Sequence, residues 1–132
     1  MNYPVVIHKD EDSDFGVTVP DLPGCFSAGE TIEKAIENVK EAIICHVEGM
    51  QLDNEEIQLP TNIDKHRNNE DYKHGVWALV KIDFSEIQGK AKRVNVTIPE
   101  NLLYKIDSYA KKQGETRSGL LVSAAMEYIS KH

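Results

Sequence analysis

The sequence predicts an α+β chain of two parts, an antiparallel β-β-β-α-β unit over residues 1–88 and a β-α-α unit over residues 89–132. Three observations predict it. Short apolar runs separated by turn residues mark strands near the amino end. One long helical periodicity follows them. The last third then changes rhythm, to a single strictly alternating strand and two helical stripes.

Residues 3–8 read as a strand, centred on Val5, Val6 and Ile7. The run 9–14 is a turn rich in carboxylates. Residues 15–19 alternate Phe15, Val17 and Val19 against Gly16 and Thr18, and should pair with the first strand as a hairpin. Pro20-Asp21-Leu22-Pro23-Gly24 is a rigid turn, because two prolines fix φ and Gly24 permits φ > 0. Residues 25–28 make a short third strand.

Thr31 is a good helix N-cap, with Glu33 where the helix dipole favours a carboxylate. Ile32, Ala35, Ile36, Val39, Ala42, Ile43, Val47 and Met50 then recur at helical spacing. Residues 53–75 are polar and too long for an ordinary connection, so a partly ordered loop with a short helix is expected there. Residues 76–84 read as the last strand of the first unit, and 84–92 as a linker containing Gly89.

In the second unit Val94, Val96 and Ile98 face one way and Arg93, Asn95 and Thr97 the other. Pro99 suits the first turn of a helix whose stripe is Leu102, Leu103, Ile106, Tyr109 and Ala110. Gln113-Gly114-Glu115 ends it. Thr116 or Ser118 caps a second helix, which is apolar on nearly every side. Such a helix must be buried all round, and a unit this short cannot bury it alone. Its lone strand also has two unpaired edges. Both problems vanish if two copies pair, with the strands forming an antiparallel ribbon. A homodimer through the second unit is therefore expected, and a tetramer if the first units pair as well.

The chain has 132 residues and a formal net charge of −7, split unevenly. Residues 1–88 hold 7 Lys and Arg against 18 Asp and Glu, while residues 89–132 hold 8 against 4. The first part suits a basic partner and the second a phosphate backbone. No apolar run reaches the length of a membrane span, and the amino end has no signal-peptide pattern. Cys25 and Cys45 are too few for a disulfide framework and lack metal-ligand spacing. A cytoplasmic location is expected, with no membrane partner, no metal and no cofactor.

A two-stranded ribbon fits the major groove of B-DNA. Arg93 can pair with guanine O6 and N7, Asn95 with adenine N6 and N7, and Thr97 can touch a thymine methyl. Amides at the start of the last helix, near Thr116, Arg117 and Ser118, can hold a phosphate, with Lys92 adding charge. For the strand alone, an ordinary polar surface explains as much. The ordered set of strand, Pro99, two helices and a capped Arg117-Ser118 makes DNA binding the stronger reading.

The stretch R-V-N-V-T-I-P, a helix, then G-E-T-R-S-G-L-L resembles the ribbon–helix–helix repressors over residues 93–129. The first unit resembles the HicB antitoxin family. The resemblance is carried by Phe15-Gly16-Val17-Thr18-Val19-Pro20-Asp21-Leu22-Pro23-Gly24-Cys25, Ser27-Ala28-Gly29-Glu30-Thr31, Glu33, Ala35, Asn38 and Glu41-Ala42-Ile43. It implies a partial RNase H-like fold and a cognate HicA-like toxin, a small mRNA-cleaving protein with a double-stranded-RNA-binding-type fold. The polar segment 53–75 departs from the pattern.

The implied function is that of a type II antitoxin that binds its toxin directly and represses its own operon. Asp10, Glu11, Asp12 and Asp14 would attract a basic toxin surface, and Trp77 is either core-facing or an interface anchor. The four carboxylates sit in a turn, where side chains diverge rather than converge on a metal, so no catalytic role is expected. Cys45 is read as a small core residue, and the five histidines show no ligand spacing. The alternatives are a stand-alone, ligand-responsive ribbon–helix–helix regulator and a metal-dependent nuclease.

Overall fold

The computed structural model describes residues 1–86 and 92–132 of the chain. They form two compact units, Met1–Ile82 and Asp83–His132. The boundary expected at 88/89, and Gly89 of the expected linker, lie outside the described residues.

Unit 1 is a four-stranded antiparallel sheet in the order β3-β2-β1-β4, built from β1 (Asn2–Lys9), β2 (Phe15–Thr18), β3 (Phe26–Gly29) and β4 (Val76–Lys81). β1 is central, which is why its apolar run is continuous. Tyr3, Val5 and Val6 are completely buried, and Ile7 nearly so. Pro4 lies in the stretch of β1 that pairs with β4 alone, so no bond to β2 is forfeited by its missing N–H. The turn at 10–14 is closed by Ser13, whose amide donates to the Asp10 carbonyl and whose hydroxyl accepts from the Asp10 amide.

Helix α1 (Ile32–Leu52) starts where the sequence places it. Thr31 Oγ1 accepts from the Lys34 amide at 3.0 Å. Its inner stripe is Ala35, Val39, Ile43 and Val47, all fully buried. Gly29 permits the approach of helix to sheet, since a Cβ there would stand 2.4 Å from the Ala35 nitrogen. Asn38 Nδ2 donates to the Ala28 carbonyl at 2.8 Å, tying α1 to the β3 edge. Cys45 does not join the core. It is exposed, because it lies half a turn away from Ile43 and Val47 on the outer side of the helix.

Residues 53–75 are more ordered than expected. They contain the single turn α2 (Ile63–His66) and a 3₁₀ turn at Glu70–Tyr72 capped by Asn69. The Tyr3 hydroxyl donates to the Gln58 carbonyl at 2.8 Å. His74 adopts φ 68° just before Gly75, where a Cβ would lie 2.2 Å from Val6 Cγ2.

Unit 2 contains a 3₁₀ turn at Phe84–Glu86, then α3 (Glu100–Lys112) and α4 (Arg117–Lys131). Phe84 is buried, so the start of the expected linker is a packed element. Pro99 occupies the N-cap position of α3, and Gly114 at φ 67° turns the chain after it. Residues 92–98 form no strand within the single chain. The alternating pattern is present, but a strand needs a hydrogen-bonded neighbour and the described residues of unit 2 supply none.

Candidate functional site

Each unit presents a distinct surface. Redrawn on the structural boundary, residues 1–82 hold 7 Lys and Arg against 16 Asp and Glu, a net −9, while residues 83–132 hold 8 against 6. Asp83 and Glu86 therefore belong to the more basic unit.

In unit 2, Lys92, Arg93, Asn95 and Thr97 are all exposed. Of the residues meant to face inward, Val94 and Val96 are each 70% accessible and Ile98 is half-buried. On the helices, Leu102, Tyr104, Tyr109, Val122, Tyr128 and Ile129 are exposed too. The all-round apolar α4 is thus left largely uncovered in one chain.

Thr116, Arg117 and Ser118 come together at the first turn of α4. Thr116 is the N-cap, its hydroxyl accepting from the Gly119 amide at 2.9 Å. The same hydroxyl donates to Asp83 Oδ2 at 2.9 Å. Asp83 Oδ1 accepts from the Ser85 amide at 2.9 Å and from the Ser85 hydroxyl at 2.6 Å. Partial burial raises the Asp83 carboxyl, but the bonds from Ser85 and Thr116 outweigh it and hold the group below its ordinary range. Arg117 forms a two-pronged pair with Asp107, at 2.7 Å through Nε and 2.7 Å through Nη2. That bond lowers the Asp107 carboxyl and raises the Arg117 guanidinium. Sequence reading missed both carboxylates. An Asp just past an apolar strand, and an Asp on α3 ten residues before Arg117, carry no periodic signal.

In unit 1, Asp10, Glu11, Asp12 and Asp14 are exposed in the turn between β1 and β2 and point their charge to solvent. Trp77, on β4, is half-buried. Its ring stacks at 6.5 Å on His66 and meets Tyr72 edge-on at 5.7 Å. His66 Nε2 in turn lies 2.9 Å from Asp21 Oδ1 and 3.0 Å from Thr61 Oγ1. Asp21, only 8% exposed, also accepts from the Thr61 amide. This polar knot was not foreseen. In the sequence the prolines around Asp21 mark only a turn, and His66 is one of five histidines without ligand spacing.

Among the described residues no group of three or more His, Cys, Asp or Glu side chains is placed to hold a metal. None of the described helices is long and apolar enough to cross a membrane. Burial, reinforced by nearby Cys45, pushes the Cys25 thiol up to about 11, which leaves it unreactive at neutral pH.

A family model for the HicB-like antitoxin of bacterial toxin–antitoxin systems matches residues 3–125. An uncharacterized 14.9 kDa protein from the rep-hol intergenic region of Haemophilus phage HP1 is 41% identical over 118 residues, 89% of this chain and 88% of that one. The crystal structure of the Burkholderia pseudomallei antitoxin HicB is 44% identical, with a TM-score of 0.77 over 97% of this chain and 98% of that one. A chain of the HicA3 and HicB3 toxin–antitoxin complex is 29% identical, with a TM-score of 0.56 over 63% of this chain and 99% of that one. The extent of these matches is decisive: the chain belongs to the HicB-like antitoxins of bacterial toxin–antitoxin systems.

Proposed function

We propose that the protein neutralises a HicA-like, mRNA-cleaving toxin by direct binding and represses its own operon. Unit 1, a partial RNase H-like domain in this reading, takes the toxin. Its net −9 suits a basic surface, and charge steers such encounters as well as stabilising them. A chain of comparable fold occurs in the HicA3 and HicB3 toxin–antitoxin complex, which agrees with this assignment. Asp10, Glu11, Asp12, Asp14 and Trp77 are the toxin-facing candidates.

Unit 2 acts as a ribbon–helix–helix dimer on operator DNA. One observation carries this reading: Val94 and Val96 are 70% exposed in the single chain, on a segment that pairs with no strand among the described residues. Burying that stripe against a twin forms the ribbon and leaves Arg93, Asn95 and Thr97 on its outer face, present twice. Lys92, Thr116, Arg117 and Ser118 then flank the phosphates. Pairing through unit 1 as well would yield a tetramer.

The test uses the full chain. Co-expressed with the small basic product of the adjacent gene, it should co-purify with that product and relieve its toxicity. A fluorescent duplex from upstream of the gene should bind, and Arg93→Ala should weaken binding by about 1–3 kcal/mol. If Arg93→Ala, Asn95→Ala and Thr97→Ala all leave DNA affinity unchanged, the ribbon assignment is wrong.

A further inference from the structure

We propose that the groove between the carboxyl-terminal half of α1 and the turn at 20–24 receives a segment of the toxin that brings a Lys or Arg side chain. The inference rests on the reading of unit 1 as the toxin-binding unit and names the surface that the unit uses.

Three observations carry it. The first is shape. A groove of about 500 Å³ opens beside Met50 of α1, with Leu22 and Pro23 of the turn in its lining. An apolar recess lets a partner exclude water from its contacts, and the residues that dominate an interface sit in such recesses. The exposed turn at 10–14 offers charge on a solvated surface instead. The second is charge. Asp53 and Glu55 line the groove, and no Lys or Arg does. Residues 41–64 hold six Asp and Glu and no Lys or Arg at all. A cation beside carboxylates in a recess is screened by less water than one on an open surface, so the attraction is stronger. A second copy of unit 1 would bring the same acids and be repelled.

The third is Gly49. Glycine is the poorest helix former after proline, yet Gly49 lies inside α1. Gly29 is required by backbone that would stand 2.4 Å from a Cβ, and Gly24 by its φ of 85°. A Cβ at Gly49 would meet nothing within 4 Å among the described residues. The folded chain therefore has no need of a bare Cα there, whereas a partner lying against the helix does. Gly49 lines the groove, so α1 gives up local stability at the place where the toxin approaches. Cys45 lines it too and is exposed, which makes its thiol a reporter of occupancy.

The test uses the full chain and the purified small basic product of the adjacent gene, with affinity measured by calorimetry. Cys45 modification by an aromatic disulfide reagent is read from the mass of the antitoxin chain. Saturating toxin should abolish the fast reaction of Cys45. Gly49→Leu should weaken binding by about tenfold or more, and the double variant Asp53→Asn/Glu55→Gln by about three- to tenfold. Gly49→Ala should also weaken it, and keeps the test valid if Gly49→Leu does not fold by circular dichroism. Glu30→Gln/Glu37→Gln removes an equal charge at the other end of α1 and should bind like the wild type. A Cys45 rate unchanged in the complex, or wild-type affinity in both Gly49 variants, overturns the groove and leaves the toxin reading standing. Equal losses in the two charge variants reduce the effect to net charge and overturn it too. Slowing of Cys45 as the antitoxin alone is concentrated assigns the groove to a second copy, which also overturns it. No binding by the wild type overturns the toxin reading and this inference with it.

Discussion

Asp21 and Thr61, 40 residues apart, are joined twice: the Thr61 amide donates to Asp21 Oδ2 at 2.8 Å and its hydroxyl to Asp21 Oδ1 at 2.7 Å. His66 Nε2 shares the second oxygen at 2.9 Å. A buried carboxylate persists only when its oxygens are occupied, and here one long segment occupies both. Asp21→Ala should destabilise unit 1 by about 3 kcal/mol, since it strands an amide and a ring nitrogen. Asp21→Asn, which keeps one acceptor, should cost less. Urea denaturation of the full chain measures both, and equal stability of all three proteins would refute the clamp.

Gly29 sets the distance between β3 and α1. A Cβ there would meet Ala35 backbone atoms at 2.4 and 2.8 Å, and backbone cannot rotate away. Gly29→Ala should cost about 2–3 kcal/mol through overpacking. Gly49, with open space around its Cα, is the control. Gly49→Ala should stabilise α1 slightly, by a few tenths to about 1 kcal/mol. The two thermal midpoints should therefore move in opposite directions.

Acid should loosen unit 2. The carboxyl of Asp83 titrates below its ordinary 3.8 in the folded chain, because bonds from Ser85 and Thr116 overcome the opposing effect of burial. A depressed carboxyl adds stability that is complete above the unfolded value. It is lost as pH falls through the folded one. The exposed Asp107, lowered by Arg117, contributes with the same sign. Melting temperatures followed from pH 6 to about pH 2.5 should fall below pH 4, and the fall should be shallower in Asp83→Asn.

Self-association should depend on the exposed stripe. Val94 and Val96 are 70% exposed in the single chain, and a charge at either would be trapped in the ribbon. Analytical ultracentrifugation should find the wild type as a dimer or larger. Val94→Asp and Val96→Asp should shift it toward monomer. A monomeric wild type would remove the basis of the ribbon.

The two cysteines should differ in reactivity. Cys45 is exposed on α1, whereas Cys25 is buried with its thiol pushed up to about 11. An aromatic disulfide reagent at neutral pH should modify one thiol per chain rapidly and the second only on unfolding. Cys45→Ser should abolish the fast phase.

Periodicity and turn chemistry made most of the backbone legible. Thr31 caps α1 where the local pattern places it, Thr116 rather than Ser118 caps α4, and Pro99 stands one residue before the first turn of α3, at its N-cap. The failures have physical causes. Cys45 resembles a core residue in a list of apolar neighbours, yet an angle of 100° per residue puts it outside. Residues 92–98 read as a strand, but strand formation is a property of two segments, and among the described residues no second segment pairs with this one.

The sequence by itself determined the order of elements, the inner stripe of α1 and the partition of charge between the two ends, because each of these is written in neighbouring residues. Only the tertiary structure decided that residues 53–75 are clipped to Asp21, that Arg117 is held by Asp107, and that Asp83 lies over Gly119. Those are polar contacts between distant segments. They follow from where folding brings a few donors and acceptors together, and that leaves no repeat along the chain.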